Sequence, residues 1–540
     1  MIEKEEDFTR VYIGKDNFQM LVLGGSGTAG KTMTMETIAE EINLCNNHIV
    51  IFLTDTKKIF ENAHCMFPPQ DYKHRQILER VGKAESRKKV KLYHPFTFNL
   101  PKHSLPDMNL FTFNINDLSR DEFSMLAESY ADSDAIKLLL ESQKALKKDE
   151  NWIDLLHIAQ DRVKSKKKKF FGKDISDADK SSYYLERGSS GTGKSVSEIS
   201  SYFKPFEIDY CIGQEECKLN IDIKEILSDN KHYHVLLTKW INDEKMMYFV
   251  IYTLFNLIEK NLDYAKYPVL FIIEEVRDLT PRIQMGYQKF MSSIIAKKLS
   301  KIRSEGEGCS SILTTQVLDD TSPIVTNSAT ITLIGNLGAT RDIEKVSKIY
   351  KYSKETVKKL SMLDKGQYII RGRIKEDEGD SEPDIYSFFP PSHGHKEEGG
   401  NNFITLYRMY YGDKMRDYRK EIGYMKTLFK ENVKKAKERF NEKMDKQKKN
   451  IEAEAKRKER VKRLETELEE LKSKGRDAKQ TGLDERNKEI VDMYDEEGLS
   501  FQKIGDRYGI SKVAVMNAYN DYKKKEKLPK IKDDGINQYD

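Results

Sequence analysis

Along residues 17–373, short runs of consecutive apolar side chains alternate with stretches in which apolar positions return every three or four residues. Short apolar runs have the length of strands buried on both faces, and the three-to-four recurrence is that of helices lying on them. The runs are FQMLVL (18–23), HIVIFL (48–53), HYHVLLT (232–238), VLFII (269–273), SILTT (311–315), ATITLI (329–334) and QYIIRG (367–372). Strands alternating with helices predict an α/β domain, with a mainly parallel sheet flanked by helices, over residues 1–400. Residues 105–205 break the rhythm. They read as a helical insertion that carries a lysine-rich stretch, KSKKKKFFGKD (164–174). Residues 374–401, with EDEGDSEPD and KEEGG, read as the exit from the core.

From residue 403 the pattern changes. Residues 413–480 are dense in Lys, Arg and Glu, predicting a charged, coiled-coil-like helical tether over 401–480. Val461, Leu464, Leu468 and Leu471 follow a 3-4-3 spacing, and Val433, Ala436 and Phe440 share that heptad register. Polar residues occupy most seam positions between them, so the stretch reads as a solvated spacer more than as a strong coiled coil. A compact all-α segment over 484–526 and a tail over 527–540 complete the chain.

Composition sharpens this picture in three ways. A chain of 540 residues allows two to four domains, and 34% charged residues against 38% apolar ones fits the charged helix. The net charge of +5 permits nucleic-acid binding without requiring it, leaving local patches to decide. Five scattered cysteines, with Cys211 and Cys217 wrongly spaced for a zinc knuckle, suit a reducing compartment. No apolar run approaches the roughly 18 residues of a membrane span and no basic-then-apolar leader is present, so a cytoplasmic protein is expected.

Two stretches fit the phosphate-loop pattern, GSGTAGKT (25–32) and GSSGTGKS (188–195). The pattern works where a buried strand delivers the loop and a helix leaves it, so that backbone N–H groups and the helix N-terminus converge on phosphate. The first has both flanks: Leu21, Val22 and Leu23 end a strand, and Met35, Ile38, Ala39 and Ile42 follow at helical spacing. The second follows SSYYLER, which places Glu186 and Arg187 where a buried strand should be, and Pro205 soon stops its helix. In its favour, Lys194 lies 80 residues before Glu274, against 243 for Lys31. Context selects the first loop, Gly25, Ser26, Gly27, Thr28, Ala29, Gly30, Lys31 and Thr32. Lys31 would reach the β- and γ-phosphates of ATP, and the Thr32 hydroxyl would bind Mg2+.

YPVLFIIEEVRDL (267–279) supplies the acidic strand such a loop needs. Glu274 would orient Mg2+ and Glu275 would polarise the attacking water. An ordinary acidic turn is the bland alternative. A helix over about 287–303 leads to SILTTQ, which puts Gln316 at a strand end where it could sense the γ-phosphate. The histidine pairs 232/234 and 393/395 read as structural, without a metal-ligand set.

The order of phosphate loop, strand ending at Asp55, helical insertion, FIIEEV, helix with Arg303, TTQ and ATITLIGN resembles the HerA/FtsK superfamily over about residues 15–395. The resemblance implies a RecA-like P-loop NTPase core, a hexameric ring, and ATP hydrolysis coupled to movement of double-stranded DNA. By that resemblance Glu275 activates water, Gln316 is the sensor, and Arg303 or Arg341 is the finger given to the neighbouring subunit. It also implies a possible nuclease partner, as HerA has. About 16 residues precede the first strand, where HerA carries a β-barrel and FtsK a membrane region. A stripped-down motor of the kind that mobile elements and viruses carry is therefore expected.

EEGLSFQKIGDRYGISKVAVMNAYNDYKKK (496–525) has the cadence of a helix-turn-helix and resembles that of resolvases and sigma-type factors. Ser500 and Ser511 are placed to cap its helices, Gly509 to make the turn, and Ile504, Ile510, Val515, Ala518 and Tyr522 to form its buried side. Lys512, Val513, Met516, Asn517 and Asn520 would face the major groove, with the trailing lysines on phosphates. The expected function is an ATP-driven double-stranded DNA translocase with a DNA-reading tail. The alternative is an ATP-switched DNA-binding regulator or partition protein. A small-molecule kinase is disfavoured because no acceptor pocket or lid motif stands out.

Overall fold

The computed structural model describes residues 17–25, 29–53, 62–101, 105–127, 134–171, 212–238, 240–241, 243–282, 286–305, 309–316, 318–372, 385–395 and 403–527. They form two compact units, Met1–Glu438 and Arg439–Asp540.

In the first unit β1 (Gln19–Leu23) feeds α1 (Lys31–Asn46), followed by β2 (Ile49–Phe52), α2 (Tyr72–Arg80), β3 (Lys89–Pro95), β4 (Asn109–Phe111) and β5 (Phe113–Asn114). Helices α3 (Arg120–Ala127), α4 (Asp134–Gln143) and α5 (Trp152–Phe171) come next, then β6 (Ile212–Gly213), α6 (Ile223–Leu227), β7 (His232–Leu236), α7 (Glu244–Lys260) and β8 (Val269–Ile273). The core closes with α8 (Gly286–Glu305), β9 (Cys309–Thr315), α9 (Pro323–Ser328), β10 (Ile331–Ile334), α10 (Thr340–Tyr350), α11 (Lys354–Leu360), β11 (Gln367–Gly372), β12 (Ile385–Ser387) and α12 (Phe403–Tyr411).

Ten strands make one sheet in the order β12-β11-β10-β1-β9-β8-β2-β7-β3-β4. Every pair is parallel except β10–β11 and β11–β12. The period-two alternation of side chains sorts each strand into two apolar layers. Leu21, Leu23, Ile49, Ile51, Phe271 and Leu313 face α7 and its neighbours. Met20, Val22, Val50, Phe52, Leu270 and Ile312 face α1, through Met35, Ile38, Ala39 and Ile42. Each such side chain contributes about 1.5–3 kcal/mol on leaving water, which is why these strands read as unbroken apolar runs.

The seven predicted strands are all present, and three further ones join the sheet. β3 escaped notice because Lys89, Val90 and Lys91 are exposed or half-buried near the sheet margin, so its run is not uniformly apolar. The predicted helical insertion opens with β4, which pairs with β3, and β5, which pairs with β6, before α3, α4 and α5.

Residues 374–401 were expected to leave the core, yet β12 pairs with β11 and the chain then packs back on α1. His393 is fully buried there, and a Cβ on Gly394 would lie 2.9 Å from the carbonyl oxygens of His64, Phe67 and Pro68. Only glycine permits that approach. Under this segment the buried carboxylates of Glu36 and Glu40 meet His395 and Lys88. Burial pushes the Glu40 carboxyl up, but His393, Lys88 and Ser392 outweigh it and hold its pKa at about 2.

Helix α13 spans Arg419–Asp495. Its first turns bury Ile422 and Met425 in the α1-side layer, beside Phe403, Leu406 and Tyr407 of α12. In the second unit the end of α13 packs with α14 (Phe501–Tyr508) and α15 (Lys512–Glu526) around Ile490, Ile504, Val515 and Ala518. Tyr494 stacks on Phe501 at 4.0 Å between centroids.

Candidate functional site: a phosphate loop and an acidic strand end

The loop after β1 is tied down at both ends. The Gly25 N–H donates to the Asn336 carbonyl at 2.7 Å. At the far end the Ala29 carbonyl accepts from the Gly366 N–H at 3.1 Å and from the buried Tyr368 hydroxyl at 2.7 Å. Gly30 starts α1 in the left-handed region, φ 70 and ψ 31, a conformation that costs residues with a Cβ. A Cβ on Gly24 would sit 2.3 Å from that of Ala29, so the loop folds back on itself closely. Lys31 directs its ammonium across the loop, donating to the Gly24 carbonyl at 2.8 Å and the Gly25 carbonyl at 3.4 Å. Ser26, Gly27 and Thr28 lie outside the described residues.

The sheet register brings the partner strands to the same edge. Leu23 is level with Thr315 of β9, and Ile273 of β8 with Leu313. Past those ends, the Thr32 hydroxyl donates to Glu274 Oε1 across 242 positions of sequence. Glu275 adopts φ 50 and ψ 56, rare for a non-glycine residue. Its N–H donates to Thr314 Oγ1 at 3.1 Å, and its Oε1 accepts from the Gln316 N–H at 3.0 Å. The predicted residues Lys31, Thr32, Glu274, Glu275 and Gln316 therefore converge beyond the C-terminal ends of β1, β8 and β9. Thr32 and Glu274 together present hard oxygen donors of the kind Mg2+ takes.

Arg277 was missed by the sequence reading. Its Nε lies 3.5 Å from Glu275 Oε1, its Nη2 donates to Gln316 Oε1 at 3.4 Å, and its Nη1 lies 3.8 Å from Asp320 Oδ2. The available signal was a cation two positions beyond a paired acid, EEVR. The candidate finger residues differ. Arg341 is exposed in the first turn of α10. Arg303 falls within α8, with its side chain outside the described residues.

The second unit carries its own candidate surface. Ser500 Oγ accepts from the Lys503 N–H at 3.4 Å and Ser511 Oγ from the Ala514 N–H at 3.2 Å, capping α14 and α15. Gly509 turns the chain at φ 65. Lys512, Val513, Met516, Asn517 and Asn520 are all exposed along α15, while Val515 and Ala518 are buried. The trailing lysines differ from expectation: Lys523 pairs with Asp495 at 2.8 Å and Lys525 with Asp484 at 2.6 Å, both on α13. Acids on the adjoining helix thus compete for cations that were assigned to phosphates.

GSSGTGKS (188–195) and Asp55 lie outside the described residues, as do the side chains of the lysine run 164–169. Among the described residues no group of three or more His, Cys, Asp or Glu could hold a metal, and no helix is long and apolar enough to cross a membrane. His234 instead bonds Tyr93 OH at 3.2 Å and the Asp229 carbonyl at 3.0 Å.

Residues 481–519 match the family model for Sigma-70, region 4. No match was found among proteins of curated function. Similar solved structures include VirB4 of Thermoanaerobacter pseudethanolicus, 12% identical, covering 66% of this chain and 87% of that one with a TM-score of 0.36. The bacterial conjugative coupling protein TrwB is 12% identical over 70% of this chain and 87% of its own, with a TM-score of 0.38. The genome packaging NTPase of Sulfolobus turreted icosahedral virus 2, solved with ATP-γS, is 21% identical over 31% and 71%, with a TM-score of 0.23.

Proposed function

We propose that this chain is an ATP-driven motor that moves double-stranded DNA, working as a homo-oligomeric, hexameric ring with a DNA-reading domain at 484–526. The observation that carries the proposal is the meeting of Thr32 with Glu274, and of Gln316 with Glu275, at one end of the sheet beside the phosphate loop. The backbone of Gly25–Gly30 and the Lys31 ammonium hold the phosphates. Thr32 and Glu274 would hold Mg2+, which would offset charge on the phosphates. Glu275 takes the proton of the attacking water, and Gln316, on the adjoining strand, reports the γ-phosphate to the rest of the sheet. Arg303 or Arg341 reaches the neighbouring subunit's nucleotide. On α15, Lys512, Val513, Met516, Asn517 and Asn520 read the major groove.

The test is ATP turnover with and without double-stranded DNA for wild type, Lys31→Ala and Lys194→Ala, together with a triplex-displacement assay of movement along duplex. DNA-stimulated hydrolysis lost in Lys31→Ala alone is the expected result. Loss in Lys194→Ala alone would relocate the site to residues 188–195. The second reading, an ATP-switched DNA-binding regulator, is favoured by the sigma-type match at 481–519. It predicts slow hydrolysis that DNA does not stimulate and no displacement.

A further inference from the structure

Within the second unit, every described side chain of α13 between residues 441 and 482 is exposed. A helical stretch this long points to a coiled coil, a membrane span or a helical repeat, and among the described residues no helix is apolar enough to cross a membrane, while a helix solvated all round otherwise leans on many ion pairs along its own surface. Among the described residues the i,i+4 ion pair in this stretch is Arg463–Glu459. Against that charged background Val461, Leu464, Leu468 and Leu471 form one apolar stripe with exposures of 47%, 56%, 52% and 67%. They alternate as a, d, a and d of two heptads, bounded by Glu454 and Gly475 at the neighbouring a positions.

The flanking charges select the partner. In this register Arg460 and Glu467 are g residues, and Glu465 and Lys472 are e residues. A parallel, in-register pair of identical helices sets each g residue against the e residue five positions on in its partner. That places Arg460 against Glu465 and Glu467 against Lys472, two attractive contacts, each made twice by symmetry. Residues five apart do not face each other within one helix, and none of these four residues makes an ion pair within its own chain among the described residues. The charges are therefore placed to act between helices.

We propose that residues 460–472 of α13 form a parallel, in-register coiled-coil seam with the same segment of a second copy of this chain. The pairing delivers two sigma-type units side by side at one end of the seam, so the DNA reader acts as a twofold element. The proposal is independent of the ATPase reading, because no residue in it belongs to the phosphate-loop site.

The experiment uses the full-length chain with single cysteines introduced at Leu464→Cys, or on the opposite face at Thr466→Cys, under a glutathione redox buffer. The unsubstituted chain accounts for native cysteines. Equivalent d positions of a parallel pair lie about 6 Å apart, within disulfide reach, so Leu464→Cys should form a linked dimer and Thr466→Cys should not. Adding Glu467→Lys should slow linkage by about two- to fivefold per contact, the scale of an exposed ion pair. Restoring complementarity with Lys472→Glu should recover it. Equal linkage at 464 and 466, or linkage only in a mixture of Leu464→Cys with Leu468→Cys chains, which marks an antiparallel pair, would overturn the proposal. So would failure of the charge swap to rescue.

Discussion

Replacing Arg277 with alanine tests whether the paired acids and the glutamine act as one unit. The guanidinium is the shared neighbour of Glu275 and Gln316, at 3.5 Å and 3.4 Å, with Asp320 at 3.8 Å on its far side. A unit-charge pair at this separation is worth about 5 kcal/mol at an effective dielectric near 20, before desolvation is subtracted. Arg277 is 27% exposed and Glu275 20%, and the contacts are longer than ideal hydrogen bonds. A net orienting contribution of about 1–2 kcal/mol remains, which corresponds to a loss of about five- to thirtyfold in kcat. Because Arg277 contacts none of the described residues of the phosphate loop, KM for ATP should hold within about twofold, the pattern of an interaction expressed in the chemical step. Arg277→Lys keeps the charge but loses the fork that spans both partners, so it should fall between wild type and alanine. The assay is steady-state ATP hydrolysis with saturating DNA, with folding checked by thermal melting. An unchanged kcat, or a raised KM at constant kcat, would refute the reasoning.

Tyr368→Phe removes one of two donors to the buried Ala29 carbonyl and should cost about 1 kcal/mol of stability while weakening nucleotide binding, both read from melting curves with and without ATP. Gly505→Ala forces a Cβ to 2.6 Å from the Ile510 carbonyl oxygen, so the second unit should lose about 1–3 kcal/mol, lowering DNA affinity while basal hydrolysis stays unchanged. Burial lowers His48, His94 and His393 from 6.5 to about 4. The unfolded chain therefore takes up protons first, and their contribution, complete above pH 6.5, drains away as pH falls towards 4. Glu40, held at about 2 against 4.5, extends the loss below that window, and the melting temperature between pH 7 and 2 is the check.

Much of this protein was written locally. Seven strands were visible as apolar runs because a strand covered on both faces has no polar side to interrupt it. The caps at Ser500 and Ser511 and the turn at Gly509 were visible because each depends on neighbours within a few positions. The phosphate loop was chosen over its duplicate on the same local grounds, since Leu21–Leu23 and the Met35–Ile42 face sit beside it. Tertiary structure decided what depends on distant partners. β3 became a strand because β7 and β4 pair with it on either side, and β12 because it pairs with β11 at the sheet's edge, although their own patterns were mixed. His393 became a core residue because residues 391–395 return to α1, and Glu36 and Glu40 gave that return something to bind. Arg277 looked like any surface cation until β9 placed Gln316 next to it. Thr32 and Glu274 are 242 positions apart in the chain and in contact in the fold. Side-chain periodicity is set by the nearest few residues, whereas strand order is set by which buried surfaces the whole chain can bring together.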